Sequence, residues 1–210
     1  MDLSFIKPKH LQREVLVYLE ALELGLKTFW LVDNLPPKLL RRFLTEIEKS
    51  KFSHAEVLDE TFVWLNLIQP PVPAIYSVED CCLRKDEILS KQFIETFNEI
   101  SPKSKITTKN LHFTPSIIGF LLGYPLVYSI TENFTESKNS LNNLDLILHK
   151  YSFKSIIITS FTIPAHIDIQ PVSIPNCDIL SEVINLPSVC MWYNHQLIQT
   201  EMDNYHNLEL

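Results

Sequence analysis

Glycine is almost missing from this chain. Only Gly25, Gly119 and Gly123 occur in 210 residues, where average usage of about 7% would give roughly 15. Phosphate-cradling loops need glycines at fixed short offsets, because only glycine lets several backbone N–H groups converge on a phosphate. No two glycines lie closer than Gly119 and Gly123. The G-x-G-x-x-G fingerprint, the P-loop and the G-x-S-x-G nucleophile elbow are therefore all excluded.

Cysteine is scarce too. Cys81, Cys82, Cys177 and Cys190 follow no ligand spacing, and adjacent cysteines do not serve one tetrahedral zinc in the usual C-x2-C manner. Basic charge is short: the net charge is −7, and the richest basic spots, Lys38–Arg41–Arg42 and Lys103–Lys105–Lys109, lie in mixed segments. A nucleic-acid partner is not expected, since that contact needs a basic face. Long apolar runs are missing as well. The most apolar stretch, 117–128, contains Gly123 and Pro125 and is too short to span a bilayer, so no membrane partner is expected. The opening residues have no apolar signal-like core. The expected setting is intracellular, cytoplasmic or nuclear, with thiols reduced and the Asn133-Phe134-Thr135 sequon idle.

What remains is enough chain for one domain, burying roughly 70% of its unfolded surface without disulfide or metal. The first helix is marked by Leu11, Val15, Tyr18, Leu19, Leu22 and Leu26 at steps of three and four, closed by Gly25. Residues 28–33 read as a strand ending at Asp33. Pro36-Pro37 opens a second helix through Leu40, Phe43, Leu44 and Ile47. Strands are expected at 61–68 and 74–78, a third helix at 86–100, and an edge strand at 106–113. Thr114-Pro115 and Gly123 bracket a short buried helix at 115–122, with positive φ expected at Gly123. Strands follow at 124–130, 144–151, 155–163 and 182–191, with loops at 131–143 and 164–180. Helices alternate with strands early, and strands dominate late. The expectation is an α/β fold with α+β character late: one mixed sheet, parallel then antiparallel, with helices on its faces. Residues 1–191 form that domain, and 192–210 an at least partly mobile tail.

Gly119-Phe120-Leu121-Leu122-Gly123-Tyr124-Pro125-Leu126-Val127-Tyr128 resembles the central motif of an uncharacterised animal protein family, whose human member is named chromosome 1 open reading frame seventy-four. Residues 158–164 and 181–189 resemble its two later motifs, and the first helix with the strand ending at Asp33 fits its N-terminal region. The stretch 165–180 is shorter than that family's, and the residues after Met191 look like an addition. The resemblance implies no known activity, cofactor or catalytic residue.

Several constellations could carry chemistry. Asp33, Glu79 and Asp80 follow predicted strands, and open α/β sheets bind ligands at strand carboxyl ends. Brought together, they would hold a divalent cation, a ribose hydroxyl or a shared proton. The plainer expectation is that Asp33 with Asn34 caps the second helix and Asp80 belongs to a turn. His166-x-Asp168 with Cys177 and Asp178 has metal-like chemistry but sits in a proline-rich loop without a second close histidine. Cys81 or Cys190 could meet His112, His149 or His195 as a thiol–base pair, against the commoner fate of a buried thiol. Tyr124, Tyr128, Trp192 and Tyr193 offer a stacking surface or, more ordinarily, core. Pro70-Pro71-Val72-Pro73 is a rigid connector or a polyproline ligand.

No catalytic motif emerges. The leading expectation is a non-catalytic protein-interaction module, which would carry an apolar surface patch. The alternative is a small-molecule or nucleotide-binding α/β protein, with or without catalysis, using Asp33, Glu79 and Asp80. No cofactor or metal is assigned.

Overall fold

The computed structural model describes residues 1–77, 82–83, 87–107, 114–129, 145–169, 174 and 176–184. Helix α1 spans Lys9–Glu23 and carries two buried stripes. Val15, Leu19 and Leu22 join a cluster with Trp30, Phe43, Ile47 and Val63. Val17 and Ala21 join a second cluster with Tyr151, Phe153 and Ile158. A helix with apolar residues on two faces must be covered on both, and α1 lies between two layers.

On one side of α1 is a four-stranded sheet. It contains β1 (Trp30–Leu31), β2 (Ser53–Val57), β3 (Glu60–Trp64) and β6 (Lys105–Ile106), ordered β1-β3-β2-β6. Phe62, Val63 and Trp64 are all buried, although successive strand residues face opposite ways. Both faces are therefore covered. Val63 and Trp30 point toward α1 and α2 (Pro37–Ile47). Phe62, Trp64 and Phe29 point toward α3 (Glu87–Glu99) and α4 (Thr114–Leu121).

A second sheet, β5 (Cys82–Leu83), β4 (Ala74–Ser77) and β7 (Leu126–Ser129), shares the α3–α4 cluster through Ile75 and Val127. The third, β10 (Asp178–Ile184), β8 (Leu146–Phe153) and β9 (Ile156–Pro164), docks on the other stripe of α1.

The mixture of helices and strands matches the expectation, but the single sheet does not: there are three. The early half is not mainly parallel either. β1–β3, β2–β3 and β4–β5 are antiparallel, and only β2–β6 and β4–β7 run parallel. The late antiparallel character holds for β8–β10. Strand β2 was not expected from sequence, and the reason lies in its turn. Val57 pairs with Glu60, so Leu58 and Asp59 form a two-residue hairpin, with φ of 55° and 65°. Such turns ordinarily advertise themselves with Asn-Gly or Asp-Gly, and this chain has almost no glycine to spend. The β8–β9 hairpin turns the same way on Lys154 and Ser155, φ 52° and 64°. Strand β10 begins at Asp178, inside the expected loop 164–180 and before the expected start at 182; it is held by a seven-residue register on β8. The expected loop 131–143 and tail 192–210 lie outside the described residues.

Gly25 and Gly123 have positive φ, 69° and 75°, and each follows a helix end as expected.

Candidate functional site

Asp33 is exposed, two residues past β1. It does not cap α2: the N-cap is Pro36, with no side-chain cap hydrogen bond. Asn34 does not cap α2 either, and its Oδ1 is buried without a hydrogen-bond partner. Glu79 and Asp80 lie outside the described residues. The strands that precede these positions in the chain, β1 and β4, belong to different sheets.

What Asp33 does accompany is Lys27, Tyr18, Tyr124 and Glu60, each of which feels its charge. Lys27 follows the glycine turn that ends α1 and reaches across to β9. Between Tyr151–Thr159 and Ser152–Ile157 the β8–β9 register slips, leaving Ile158 without an opposite residue. A bulge of this kind disrupts the ladder locally. Its two carbonyls are taken by side chains: Tyr18 Oη donates to the Ile157 carbonyl at 2.9 Å, and Lys27 Nζ to that of Ile158 at 2.6 Å. The Lys27 ammonium also lies 5.0 Å from the centre of the Tyr18 ring, a cation–π distance. Enclosure in this seam pushes the Lys27 pKa down to about 7, with Asp33 opposing the shift. Burial, followed by neighbouring charge, drives the Tyr18 and Tyr124 hydroxyls well above their ordinary range, so both remain protonated. Glu60 is raised by burial and then by Asp33 and Asp59. The arrangement is an amine poised near neutrality beside one carboxylate and two phenols. The sequence signal for it was a lone cation in the run Leu26-Lys27-Thr28-Phe29-Trp30, which sequence reasoning passed over.

The described residues of the other constellations do not gather into a site. Among the described residues no three His, Cys, Asp or Glu side chains gather into a metal-holding group, so His166, Asp168, Cys177 and Asp178 do not form one. Cys177 packs against the α1–β8 cluster, and burial raises its pKa, the opposite of an activated thiol. His149 is buried, and its Nδ1 lies 2.9 Å from Ser181 Oγ across the β8–β10 pair. The pair has the look of a serine–base couple, but no acid is bonded to the imidazole among the described residues. Burial lowers the histidine pKa. Cys81, Cys190, His112, His195, Trp192 and Tyr193 lie outside the described residues. Tyr124 is partly buried against the α3–α4 cluster, its ring 5.6 Å from Phe161.

A groove of about 440 Å³ runs between the connector entering β4 and the outer face of α3. Val72, Pro73 and Ile75 line one wall. Glu87, Ser90, Lys91 and Ile94, at helical steps, line the other. Exposed apolar side chains accumulate nearby in the chain: Leu67, Ile68 and Val72 on the connector, and Ile88 beside Glu87, 73% exposed. The Pro70–Pro73 segment is thus the connector between β3 and β4 and also part of a surface.

No family model, curated protein or solved structure matches the chain. No helix among the described residues is long and apolar enough to cross a membrane.

Proposed function

We propose that the chain is a non-catalytic protein-interaction module, and that its docking surface is the groove between α3 and the segment formed by the β3–β4 connector and the start of β4. The observation that carries this reading is the groove itself: apolar Val72, Pro73 and Ile75 face apolar Ile94 and the charged Glu87 and Lys91 of α3, whose Ile88 is exposed. Single exposed apolar residues are ordinary on a protein surface, but several gathered at a concave site mark binding. The occupant is an apolar peptide segment of a basic partner protein. Its side chains pack between the two walls, and its cations answer a chain of net charge −7. Membership of the family that the Gly119–Tyr128 block resembles belongs to the same proposal and adds no activity to it.

The test is selection from a displayed library of basic, leucine-containing peptides, followed by affinity measurement on the strongest binder. Ile88→Asp and Ile94→Asp each weaken binding by ~10-fold or more, the size expected when an apolar anchor is lost. Equal binding to the wild-type protein and both variants overturns the reading. The small-molecule reading keeps one supporting observation, the placement of Asp33 beside Lys27. A rise in melting temperature with nucleotides or divalent cations, lost in Asp33→Asn, would favour it instead.

A further inference from the structure

We propose that the protein self-associates through the open edge of β10, two copies pairing antiparallel about a two-fold axis at Ser181, so that two three-stranded sheets become one continuous sheet. The inference is independent of the groove beside α3. It rests on the unequal treatment of the two edges of one sheet, whose order is β10-β8-β9. The β9 edge is broken up. A bulge sits at Ile158, and Tyr18 and Lys27 take the carbonyls of Ile157 and Ile158. Bulges, lysines and covering helices are the usual guards of a strand edge, because an open row of N–H and C=O groups is a template for another strand.

The β10 edge carries none of these guards. Its seven residues, Asp178–Ile184, pair with β8 in unbroken register and include no lysine, proline or glycine. Among the described residues no strand pairs with its other side. Leu180 is 55% exposed and Val183 68%, and Ile179 is exposed as well. Successive strand residues face opposite sides of a sheet, so β10 shows apolar side chains on both faces. An added strand covers both faces at once; a helix or loop packed on one face does not.

The order of residues in β10 selects a second copy as that strand. With the axis at Ser181 all seven residues find partners: Asp178 lies opposite Ile184, Ile179 opposite Val183, and Leu180 opposite Glu182. No acid meets an acid. Moving the axis to Leu180 sets Asp178 opposite Glu182, and moving it to Glu182 sets that acid opposite its own copy. Like charges directly opposite are destabilising, whereas the Ile179–Val183 pair, made twice, is of the β-branched kind that stabilises a sheet. The edge is therefore self-complementary in one register, which is what a two-fold dimer asks of its surface.

Sedimentation equilibrium of the full chain reads the mass. Twice the monomer mass is expected at about 100 μM, falling toward the monomer on dilution. Leu180→Lys and Val183→Lys, each at an exposed position, weaken self-association ~10-fold or more while the urea midpoint of the fold stays near wild type. Cross-linking reads the register. Ile179→Cys and Val183→Cys proteins are mixed and air-oxidised, and disulfides are identified by peptide mass mapping. Opposite residues of an antiparallel pair lie about 4.5–5.5 Å apart, within reach of a disulfide. Position 179 is offset from 179 of the other copy, and 183 from 183, by roughly 13 Å along the strands. The 179–183 disulfide is therefore expected in clear excess over either self-linked product. Wild-type protein that stays monomeric at about 100 μM, association equally strong in both lysine variants, or cross-linking without the 179–183 preference overturns the proposal.

Discussion

The Tyr18 ring lies flat on Trp30, with centroids 4.9 Å apart and planes 2° from parallel, while its hydroxyl reaches the carbonyl of Ile157 in another sheet. One side chain of α1 thus touches the four-stranded sheet and the β8–β9 hairpin together. Arg13, bonded to the Lys154 carbonyl, and Glu20, paired with the Lys154 ammonium, reinforce the second contact from the surface. The two functions of Tyr18 separate by mutation. Tyr18→Phe keeps the stack, loses one hydrogen bond and costs ~0.5–1.5 kcal/mol. Tyr18→Ala loses the packing too and costs ~3–5 kcal/mol. Equilibrium urea unfolding distinguishes them; equal costs would show that the ring packing is unimportant.

Lys27 gives stability a pH dependence of known sign. Burial holds its pKa at about 7 in the fold, well below the 10.5 of an unperturbed lysine. Between these values the unfolded chain binds more protons, so stability rises with pH across that window. Below about 7 the burden of the buried charge is fully felt. Lys27→Met cannot titrate, so its urea midpoint should lack this rise. Removing the amine also strands the Ile158 carbonyl, a cost that does not vary with pH. The difference in slope between wild type and variant is therefore the readout, and parallel slopes would refute it.

Gly119 and Gly123 resist substitution for different reasons. A Cβ at Gly119 would lie 3.1 Å from both Tyr124 Cδ2 and Val127 Cγ1. Crowding there outweighs the roughly 1 kcal/mol that alanine gains in a helix, so Gly119→Ala is destabilising, by ~1 kcal/mol net, and Gly119→Val by more. At Gly123 nothing lies within 4 Å of a Cβ, but φ is +75°. The cost there is backbone strain, ~1–2 kcal/mol for alanine and larger for valine, and asparagine relieves much of it. Thermal unfolding of Gly119→Asn and Gly123→Asn should rank the first well below the second.

The glycine-poor hairpins invite improvement. Asp59 and Ser155 sit at the second positions of their turns with φ of 65° and 64° and exposed side chains. Asp59→Gly and Ser155→Gly remove left-handed strain, partly offset by the greater freedom of glycine when unfolded. Each should raise stability by ~0.5 kcal/mol, seen as a higher urea midpoint at unchanged slope. A lower midpoint for both would show that these turns are not strained.

Much of the fold was legible along the chain. The periodicity of Val15, Leu19 and Leu22, and of Phe43 and Ile47, marked α1 and α2, because a helix must cover its apolar stripe. Phe93 and Phe97 marked α3 in the same way, and Gly25 and Gly123 marked helix ends, because positive φ is cheap only without a Cβ. The absence of clustered glycines disposed of phosphate loops with no structure at all. Three-dimensional packing decided the rest. Local pattern cannot say which strands pair, so one expected sheet became three. Nor could it show that Leu58 and Asp59 would bend into a hairpin without glycine, since only the paired strands on either side hold them there. The surroundings of Asp33 were set by the fold for the same reason. Asp33 was visible as a carboxylate after a strand, but the charge it exerts on Lys27, Tyr18 and Tyr124 depends on α1 and the segment after it docking against the bulge of β9, more than a hundred residues away. Charge and periodicity are written residue by residue. Enclosure, which turns an ordinary lysine into one poised near neutrality, belongs to the assembled fold.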